Sequence, residues 1–408
     1  MRPMRLSIGI ALTLVPASAL AEDGGATSST PPLTSSRDQA VIGGSEAPAG
    51  KWPDAAAVLW GGQQGCSGTL IAPNVVVTAG HCVLADDPPD QVLVGASALS
   101  KAAEGQTSSI LEAIEYENSQ STIDVGLLVL AQPVTGIEPR AIATGWAKLD
   151  IQNGAAVQLV GFGTVDRDAH QPTDSLMEAA TTITDFNCTV MAGCAPAARP
   201  DGELGAGGMG IDTCPGDSGG PVYLLTDYGS FLTGITSRGY ETNQYNCSEG
   251  GIYERPDKVI DWMEQAAGVT LARGPTPAVL PIAVVRGGGG ETVIEPNDPK
   301  STEHGYAVTR QPGHGMAAVR DDGTVRVCAD PAYTGEDTAE VMVTDKANPA
   351  RALPVVVPIT IDDGDPPDEC DVNDFSGDGG GCCDTGRSSG GSIPLAMAVL
   401  LVLRRRRK

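Results

Sequence analysis

The stretch Gly216-Asp217-Ser218-Gly219-Gly220-Pro221 is the most informative part of this 408-residue chain. A serine lies here between an aspartate and two glycines, which lack a Cβ atom and so let the backbone turn sharply and approach a bound molecule closely. Such a serine can point into a cleft while backbone N–H groups gather beside it, as a nucleophile and its oxyanion hole require. Because a serine alone is a weak nucleophile, we expect a base and an orienting acid elsewhere.

Two further segments supply a candidate base and a candidate acid. His81 follows the β-branched run Val75-Val76-Val77-Thr78, which predicts a buried strand that ends in a turn. Asp124 directly precedes a second apolar run, residues 125–130, where a buried carboxylate is costly unless it is hydrogen-bonded. Taken singly, His81 is interpreted as a core histidine and Asp124 as an exposed residue at a strand start. Only their combination with Ser218 favours catalysis.

Together these segments resemble the trypsin-like serine proteases. The order His, Asp, Ser is that of the chymotrypsin-type triad. The resemblance covers residues 41–270 and implies an all-β fold of two six-stranded antiparallel β-barrels with a C-terminal helix, for which residues 256–265 fit. The motifs that carry it are Val41-Ile42-Gly43-Gly44, Thr78-Ala79-Gly80-His81-Cys82, Asp124-Val125-Gly126-Leu127-Leu128 and the stretch around Ser218.

The resemblance also implies a role for each residue of the site. Ser218 would be the nucleophile, His81 the base that takes its proton, and Asp124 the acid that orients the imidazole. The backbone N–H groups of Gly216 and Ser218 would form the oxyanion hole, and Ser237 matches a family serine that supports the buried aspartate. The implied substrates are proteins or peptides, and the implied chemistry needs neither a cofactor nor a metal.

Substrate specificity is expected to depend on Asp212, which occupies the family position at the floor of the primary pocket. A carboxylate there pairs with a substrate Arg or Lys, and Gly239 and Gly251 match the pocket walls. Arg238 departs from the family, because it replaces a wall tryptophan and adds charge near the cleft. Cleavage after Arg or Lys is therefore the expectation, with a protease of altered specificity as the alternative.

The start of the chain indicates export and activation by cleavage. Residues 1–21 have the charge, apolar core and A-x-A site of a signal peptide, and residues 22–40 resemble a pro-segment of a zymogen. In the family, cleavage before the residue matching Val41 frees an α-ammonium that pairs with the residue matching Asp217. Ala40 stands at the cleavage site where many relatives have Lys or Arg, so another protease, or trimming after a cut further upstream, is expected.

The ten cysteines fall into two groups. The resemblance implies the disulfides Cys66–Cys82 and Cys214–Cys247, which leaves Cys188–Cys194 as the third pair of the protease-like region. Three bridges fit an oxidising compartment, whereas no Cys-x-x-Cys spacing supports the alternative of a metal cluster. Whether Cys328 pairs with Cys370 is left open by the sequence.

Residues 277–362 predict a second, small all-β unit. Alternating and β-branched runs at residues 278–285, 317–327, 339–344 and 355–361 favour a β-sandwich, and several segments resemble bacterial immunoglobulin- or cadherin-like repeats. Calcium binding through Asp337, Asp345 or Asp362 is an alternative, but solvated carboxylates are the ordinary interpretation of isolated aspartates.

The C-terminal region predicts sorting to the cell surface. Residues 363–381 are expected to form a flexible, acidic, Gly-rich linker, and residues 382–408 resemble a MYXO-CTERM sorting tail with a Cys pair, a short hydrophobic segment and an Arg cluster. The apolar run 393–403 is too short to span a bilayer stably, so only a transient membrane association is expected. A basic nucleic-acid-binding tail is the alternative, but the net charge of −25 disfavours polyanionic partners.

The leading hypothesis is a secreted or surface-directed serine endopeptidase, monomeric and made as a zymogen. The competing hypothesis is a catalytically silent adhesin or binding module built on the same fold. Intact His81, Asp124, Ser218 and Gly216 weigh against silence, since inactive relatives usually lose one of them.

Overall fold

The structure, a computed structural model, describes residues 41–195, 201–366 and 370. The predicted signal peptide, pro-segment and sorting tail lie outside these residues and stay predictions. None of the helices in the described part of the chain is long and apolar enough to cross a membrane.

The first six-stranded unit is a closed antiparallel barrel that follows a short strand, β1 (Ser45–Glu46). Its strands run in the order β2-β3-β4-β7-β6-β5, and β5 pairs with β2 to close the ring. Every residue of β4 is buried, as the β-branched run predicted. The bounds are β2 (Ala55–Trp60), β3 (Gln63–Ala72), β4 (Val75–Thr78), β5 (Gln91–Val94), β6 (Gln106–Glu115) and β7 (Gly126–Leu130).

The second barrel has the strand order β9-β10-β13-β12-β11-β8, and β8 also pairs with β9, so the ring is closed. Strand β1 adds to it beside β9. Its core contains Leu159, Val222 and Tyr253, all fully buried. The bounds are β8 (Ala156–Gly161), β9 (Met177–Asp185), β10 (Glu203–Ala206), β11 (Pro221–Thr226), β12 (Gly229–Gly239) and β13 (Gly251–Glu254).

The predicted C-terminal helix is present as α2 (Ile260–Ala267), after one 3-10 turn at Pro256–Lys258. Gly268 ends it in the left-handed conformation with φ of 65°, which a residue without Cβ adopts at little cost. Ile260 and Met263 pack against the buried run around Val125 of the first barrel. The expected two barrels with a helix are thus confirmed, and the described part of the chain also contains α1 (Gly145–Lys148) and 3-10 turns at Gly80–Cys82, Leu99–Glu104 and Ser119–Ser121.

The C-terminal unit consists of two four-stranded sheets, ordered β14-β16-β19-β18 and β15-β21-β20-β17. Both sheets contribute to one apolar cluster, so the expected β-sandwich is confirmed, while its likeness to immunoglobulin or cadherin repeats stays a prediction. The bounds are β14 (Ala278–Val279), β15 (Ile282–Val285), β16 (Gly289–Glu295), β17 (His304–Arg310), β18 (Gly315–Val319), β19 (Thr324–Ala329), β20 (Gly335–Asp345) and β21 (Ala352–Asp362).

Two of the predicted strand runs divide in the structure. Residues 317–327 form the hairpin β18–β19, because Gly323 has a φ of 85° that turns the chain between them. Residues 278–285 divide at Leu280-Pro281 into β14 and β15, which belong to different sheets.

The sandwich packs directly on the second barrel. Trp146 of α1 is fully buried within the apolar cluster of the sandwich, and its indole N–H donates to Pro296 O at 2.7 Å. Asp150 accepts a hydrogen bond from Arg351 at 2.6 Å and pairs with Lys300 at 2.9 Å. The sandwich is therefore held by a buried aromatic side chain and a cluster of ion pairs.

Four disulfides cross-link the described residues. They are Cys66–Cys82, Cys188–Cys194, Cys214–Cys247 and Cys328–Cys370. The first and third are the pairs that the resemblance implied, the second is the remaining pair expected in the protease-like region, and the fourth answers the question that the sequence left open.

Candidate active site

His81 and Asp124 are brought together at the edge of the first barrel. The 3-10 turn after β4 presents His81, and its Nδ1 lies 2.8 Å from Asp124 Oδ2. The backbone N–H of His81 also donates to Asp124 Oδ1 at 2.8 Å. Gly80 makes this approach possible, because a Cβ at that position would lie 2.4 Å from Ser119 Cβ and 3.1 Å from Asp124 Oδ1.

Asp124 is held as a carboxylate by its hydrogen bonds. Its partner from the second barrel is Ser237 of β12, whose hydroxyl donates to Asp124 Oδ2 at 2.7 Å. Burial alone would raise the pKa of Asp124, but the hydrogen bonds and charge of His81, with the bond from Ser237, outweigh burial and lower it. Since an ionised carboxylate only accepts, His81 Nδ1 carries the proton and leaves Nε2 as an acceptor.

Ser218 comes from the second barrel and lies against the segment that leads to His81. Its carbonyl oxygen accepts a hydrogen bond from Ser67 N–H at 2.8 Å. Next to it, a Cβ on Gly219 would lie 2.0 Å from Thr78 Oγ1 and 2.6 Å from Ala79 N. Only glycine fits at this contact, so the glycine after the serine is required for the two barrels to meet here.

The backbone N–H groups of Gly216 and Ser218 are available as hydrogen-bond donors to a ligand. Among the described residues, neither N–H donates to a protein acceptor. The carbonyl of Gly216 is instead fixed from the other side, by Gln64 Nε2 at 2.8 Å and Ser67 Oγ at 2.9 Å. Two unpaired N–H groups beside a serine can stabilise a negative charge on an oxygen atom.

Asp217, between these amides, is completely buried. Its carboxylate accepts hydrogen bonds from Gly163 N–H at 2.7 Å and Cys214 N–H at 2.8 Å. No Lys, Arg or His of the described residues forms an ion pair with it. Burial therefore raises its pKa to about 7, against the hydrogen bonds that lower it.

The segment from Val41 to Gly44 lies inside the second barrel domain, beside the strand-like segment of Asp212. Val41 is completely buried in the barrel core, and Asp212 N–H donates to Ile42 O at 3.1 Å. The two glycines are needed for this insertion, because a Cβ would lie 2.5 Å from Gly210 O at Gly43 and 2.2 Å from Glu178 O at Gly44.

Asp212, the candidate specificity residue, is buried. Its Oδ2 accepts hydrogen bonds from the N–H groups of residues 248–250, and Oδ1 accepts one from Thr213 N–H at 2.8 Å. Burial still raises its pKa to about 6. A Cβ built on Gly251 would lie 3.5 Å from Oδ1, so the space left by this glycine borders that oxygen. Gly239 instead faces the side-chain amide of Asn243, which a Cβ would approach to 3.0 Å.

Arg238 has partners that the sequence did not reveal. Its guanidinium pairs with Glu203 Oε1 at 2.5 Å and Glu254 Oε1 at 3.2 Å, and both carboxylates are almost fully buried. It also donates to Ser237 Oγ at 3.1 Å. The sequence contains no clear signal of this pairing, because Glu203 begins β10 directly after Asp201-Gly202 and Glu254 ends β13 directly before Arg255.

Within the part of the chain that the structure describes, the three candidate calcium ligands do not form a joint site. Among the described residues, none of the groups whose side chains could jointly hold a metal contains Asp337, Asp345 or Asp362. Asp337 caps backbone N–H groups of residues 313, 314 and 338, and Asp345 accepts from Ser301 and Ala347.

Comparisons with known proteins match the part of the chain that forms the two barrels. The family model "Trypsin" matches residues 41–263. Trypsin from Saccharopolyspora erythraea is 32% identical over 239 residues, which cover 55% of this chain and 97% of that protein. Brachyurin from Leptuca pugilator is 30% identical over 240 residues, covering 56% of this chain and all of the crab protein. Human "Serine protease 56" is 29% identical, and the match spans 58% of this chain but only 40% of that relative. The chain thus belongs to the trypsin family of serine proteases.

Proposed function

We propose that this protein is a serine endopeptidase in which Ser218, His81 and Asp124 act as the catalytic triad. The observation that carries the proposal is the threefold anchoring of Asp124, by the ring and the backbone of His81 and by the Ser237 hydroxyl. This arrangement fixes one imidazole tautomer, with Nδ1 protonated and Nε2 available as the base.

In the proposed reaction each of these groups has one task. His81 Nε2 takes the proton of Ser218 Oγ as the oxygen attacks the carbonyl carbon of the scissile bond. The N–H groups of Gly216 and Ser218 stabilise the oxyanion, and the imidazolium passes its proton to the leaving amine. Water repeats the sequence on the acyl-enzyme and releases Ser218. Loss of one oxyanion donor typically costs about 2.7–4 kcal/mol of transition-state stabilisation.

We propose cleavage after Arg or Lys through Asp212. Three backbone N–H groups donate to Oδ2, whereas Oδ1 accepts one hydrogen bond from the described residues and borders the space beside Gly251. The raised pKa of Asp212, which comes from burial, is what a carboxylate without a cation should have. A substrate cation would offset the cost of burying this carboxylate. Oδ1 would then contribute both to the binding energy and to the recognition of the charge.

We propose activation by cleavage before Val41. The new α-ammonium would pair with Asp217, the buried carboxylate between the two oxyanion amides. The complete burial of both residues supports this pairing, because a buried carboxylate gains most from a cation that enters the same dry site.

We also propose the domain arrangement and destination inferred from the sequence. Residues 1–21 would direct export, 22–40 would be removed, and 41–270 and 277–362 would form the peptidase and sandwich units. Residues 363–381 would link these to a sorting tail, 382–408, that associates transiently with the membrane and places a monomeric enzyme outside the cell. The four disulfides support an oxidising destination.

The decisive experiment is labelling with a fluorophosphonate probe, which reacts only with an activated serine. The chain beginning at Val41 should incorporate the probe at Ser218 and cleave a peptide library, with Arg or Lys before the scissile bond. Ser218→Ala should lose both activities while keeping the circular dichroism and melting temperature of the parent. Ser67→Ala is unsuitable as a control because Ser67 touches the site, so the exposed Ser121→Ala serves instead.

The outcome separates the two hypotheses for the whole protein. A folded chain that neither binds the probe nor cleaves any library member would favour a silent binding module. Labelling and turnover with another residue preference would keep the peptidase and reject only the role of Asp212.

A further inference from the structure

Arg238 forms the centre of a polar network behind the triad. Its Nη1 donates to Ser237 Oγ at 3.1 Å and to Glu254 Oε1 at 3.2 Å. Its Nη2 donates to Glu203 Oε1 at 2.5 Å and to Gly193 O at 3.0 Å. All four contacts are made by one planar fork, which a guanidinium can satisfy and a smaller cation cannot.

The network sets the direction of the Ser237 hydroxyl. A guanidinium has only donors, so the Ser237 oxygen must act as the acceptor toward Arg238. Its single hydrogen is then free for Asp124 Oδ2, 2.7 Å away. Without Arg238, the hydroxyl would lose the contact that fixes it, and Asp124 would lose a constant donor.

The charge of Arg238 has a second effect on the site. Glu254 is fully buried, and burial together with the charge of Glu203 raises its pKa to about 8, while Arg238 lowers it. The charge of Asp124 also contributes to this rise, so the two carboxylates interact. Arg238 thus offsets negative charge that would otherwise act on Asp124 and, through it, on His81.

We propose that Arg238 is a positioning residue for catalysis, which orients the Ser237 hydroxyl toward Asp124 and balances the buried carboxylates Glu203 and Glu254. This inference rests on the proposed function, since it acts through the triad. It assigns a task to the residue that replaces the wall tryptophan of the family.

The test measures how fast a small fluorophosphonate inactivates the enzyme as a function of pH. This rate constant reports the activation of Ser218 without involving the specificity pocket. Arg238→Gln should slow inactivation roughly 10- to 100-fold near pH 8, the scale expected for loss of positioning. Loss of the Arg238 charge should also favour protonation of His81. The acid limb of the profile, which is the pH range where the rate falls on acidification, should therefore move to higher pH by up to about one pH unit.

Arg238→Lys and Arg255→Gln are the matched variants. Arg238→Lys keeps the charge but not the fork, so its acid limb should stay where the parent has it while the rate recovers only in part. Arg255 is also buried and forms a two-pronged pair with Asp257 at 2.8 and 2.9 Å, but it does not contact Ser237. Arg255→Gln should therefore lower the melting temperature without moving the acid limb.

The inference is overturned if Arg238→Gln leaves the acid limb in place and loses activity only in proportion to its loss of stability, as Arg255→Gln does. If Arg238→Gln does not fold, a double-mutant cycle of Arg238→Lys and Ser237→Ala provides the test. Additive effects on the rate would reject an action through the hydroxyl, and non-additive effects would support it. A parent enzyme that does not react with the probe would instead reject the proposed function itself.

Discussion

The buried Asp217 predicts a difference in pH dependence between the uncleaved and the processed chain. In the uncleaved chain its pKa rises from 3.8 to about 7, mainly through burial. Because one pKa unit corresponds to about 1.4 kcal/mol, ionising Asp217 in the folded chain costs about 4 kcal/mol more than in the unfolded chain.

The direction of the effect follows from the raised pKa. The unfolded chain releases this proton near pH 4 and the folded chain only near pH 7, so folding retains a proton in between. The stability contributed by neutral Asp217 is complete below pH 4 and is lost as the pH rises through about 7. About 2 to 3 kcal/mol of the loss falls between pH 5 and pH 8. After cleavage, the α-ammonium of Val41 would hold Asp217 ionised, and this loss should disappear.

The assay is urea unfolding at a series of pH values, in a Ser218→Ala background that prevents self-digestion. The chain with its pro-segment and the chain beginning at Val41 are compared, so that contributions shared by both forms cancel. Asp212 and Glu254, whose pKa values are also raised by burial, are among these shared contributions. Asp217→Asn in both forms is the control and should remove the difference. Equal pH slopes in the two parent forms would refute the reasoning, because either Asp217 would not be buried and unpaired before cleavage or the new α-ammonium would not pair with it afterwards.

Three further predictions concern specificity and the interface with the sandwich. Asp212→Ser should lower the preference for Arg and Lys in a peptide library at least roughly 30-fold, the scale for losing one partner of a buried charge pair; an unchanged profile would reject the pocket assignment. The same preference should weaken in the parent as the pH falls below about 6, where Asp212 takes up a proton; a preference that is constant from about pH 8 to about pH 5 would contradict this. Asp150→Asn should lower the free energy of unfolding by about 3 kcal/mol or more, because Arg351 and Lys300 lose their shared partner in a largely buried site. Calorimetry against the exposed Asp227→Asn measures this, and equal melting temperatures would show that the ion pairs do not hold the sandwich.

The short motifs made the central part of the fold and site predictable. The glycines at Gly43, Gly80 and Gly219 are each required by a close contact in which a Cβ would lie within 2.6 Å of another atom. Such contacts leave a local pattern in the sequence, because no other residue type fits. The run ending at Thr78 and the helix around Met263 were predictable for a similar reason, since burial dictates apolar residues at regular positions.

The strands of the sandwich were predictable only in part. The runs in β20 and β21 were recognised, but β16 (Gly289–Glu295) and β17 (His304–Arg310) were not. Only Ile294 of β16 and His304 of β17 are buried, and the other positions are exposed or half-buried, so neither strand shows an apolar run in the sequence. Their pairing with β19 and β20 supplies the hydrogen bonds that make them strands.

The sequence by itself determined the order of the candidate triad residues, the glycines that permit their approach and the family of the barrels, because each of these depends on residue types within a few positions. Only the tertiary structure decided the partners of charged residues that are distant along the chain. Arg238 meets Glu203 across 35 positions, and Asp150 meets Arg351 across 201. These pairs arise from strand register, barrel closure and the docking of the sandwich, and a buried charge indicates only that it needs a partner, not which residue the fold will bring to it.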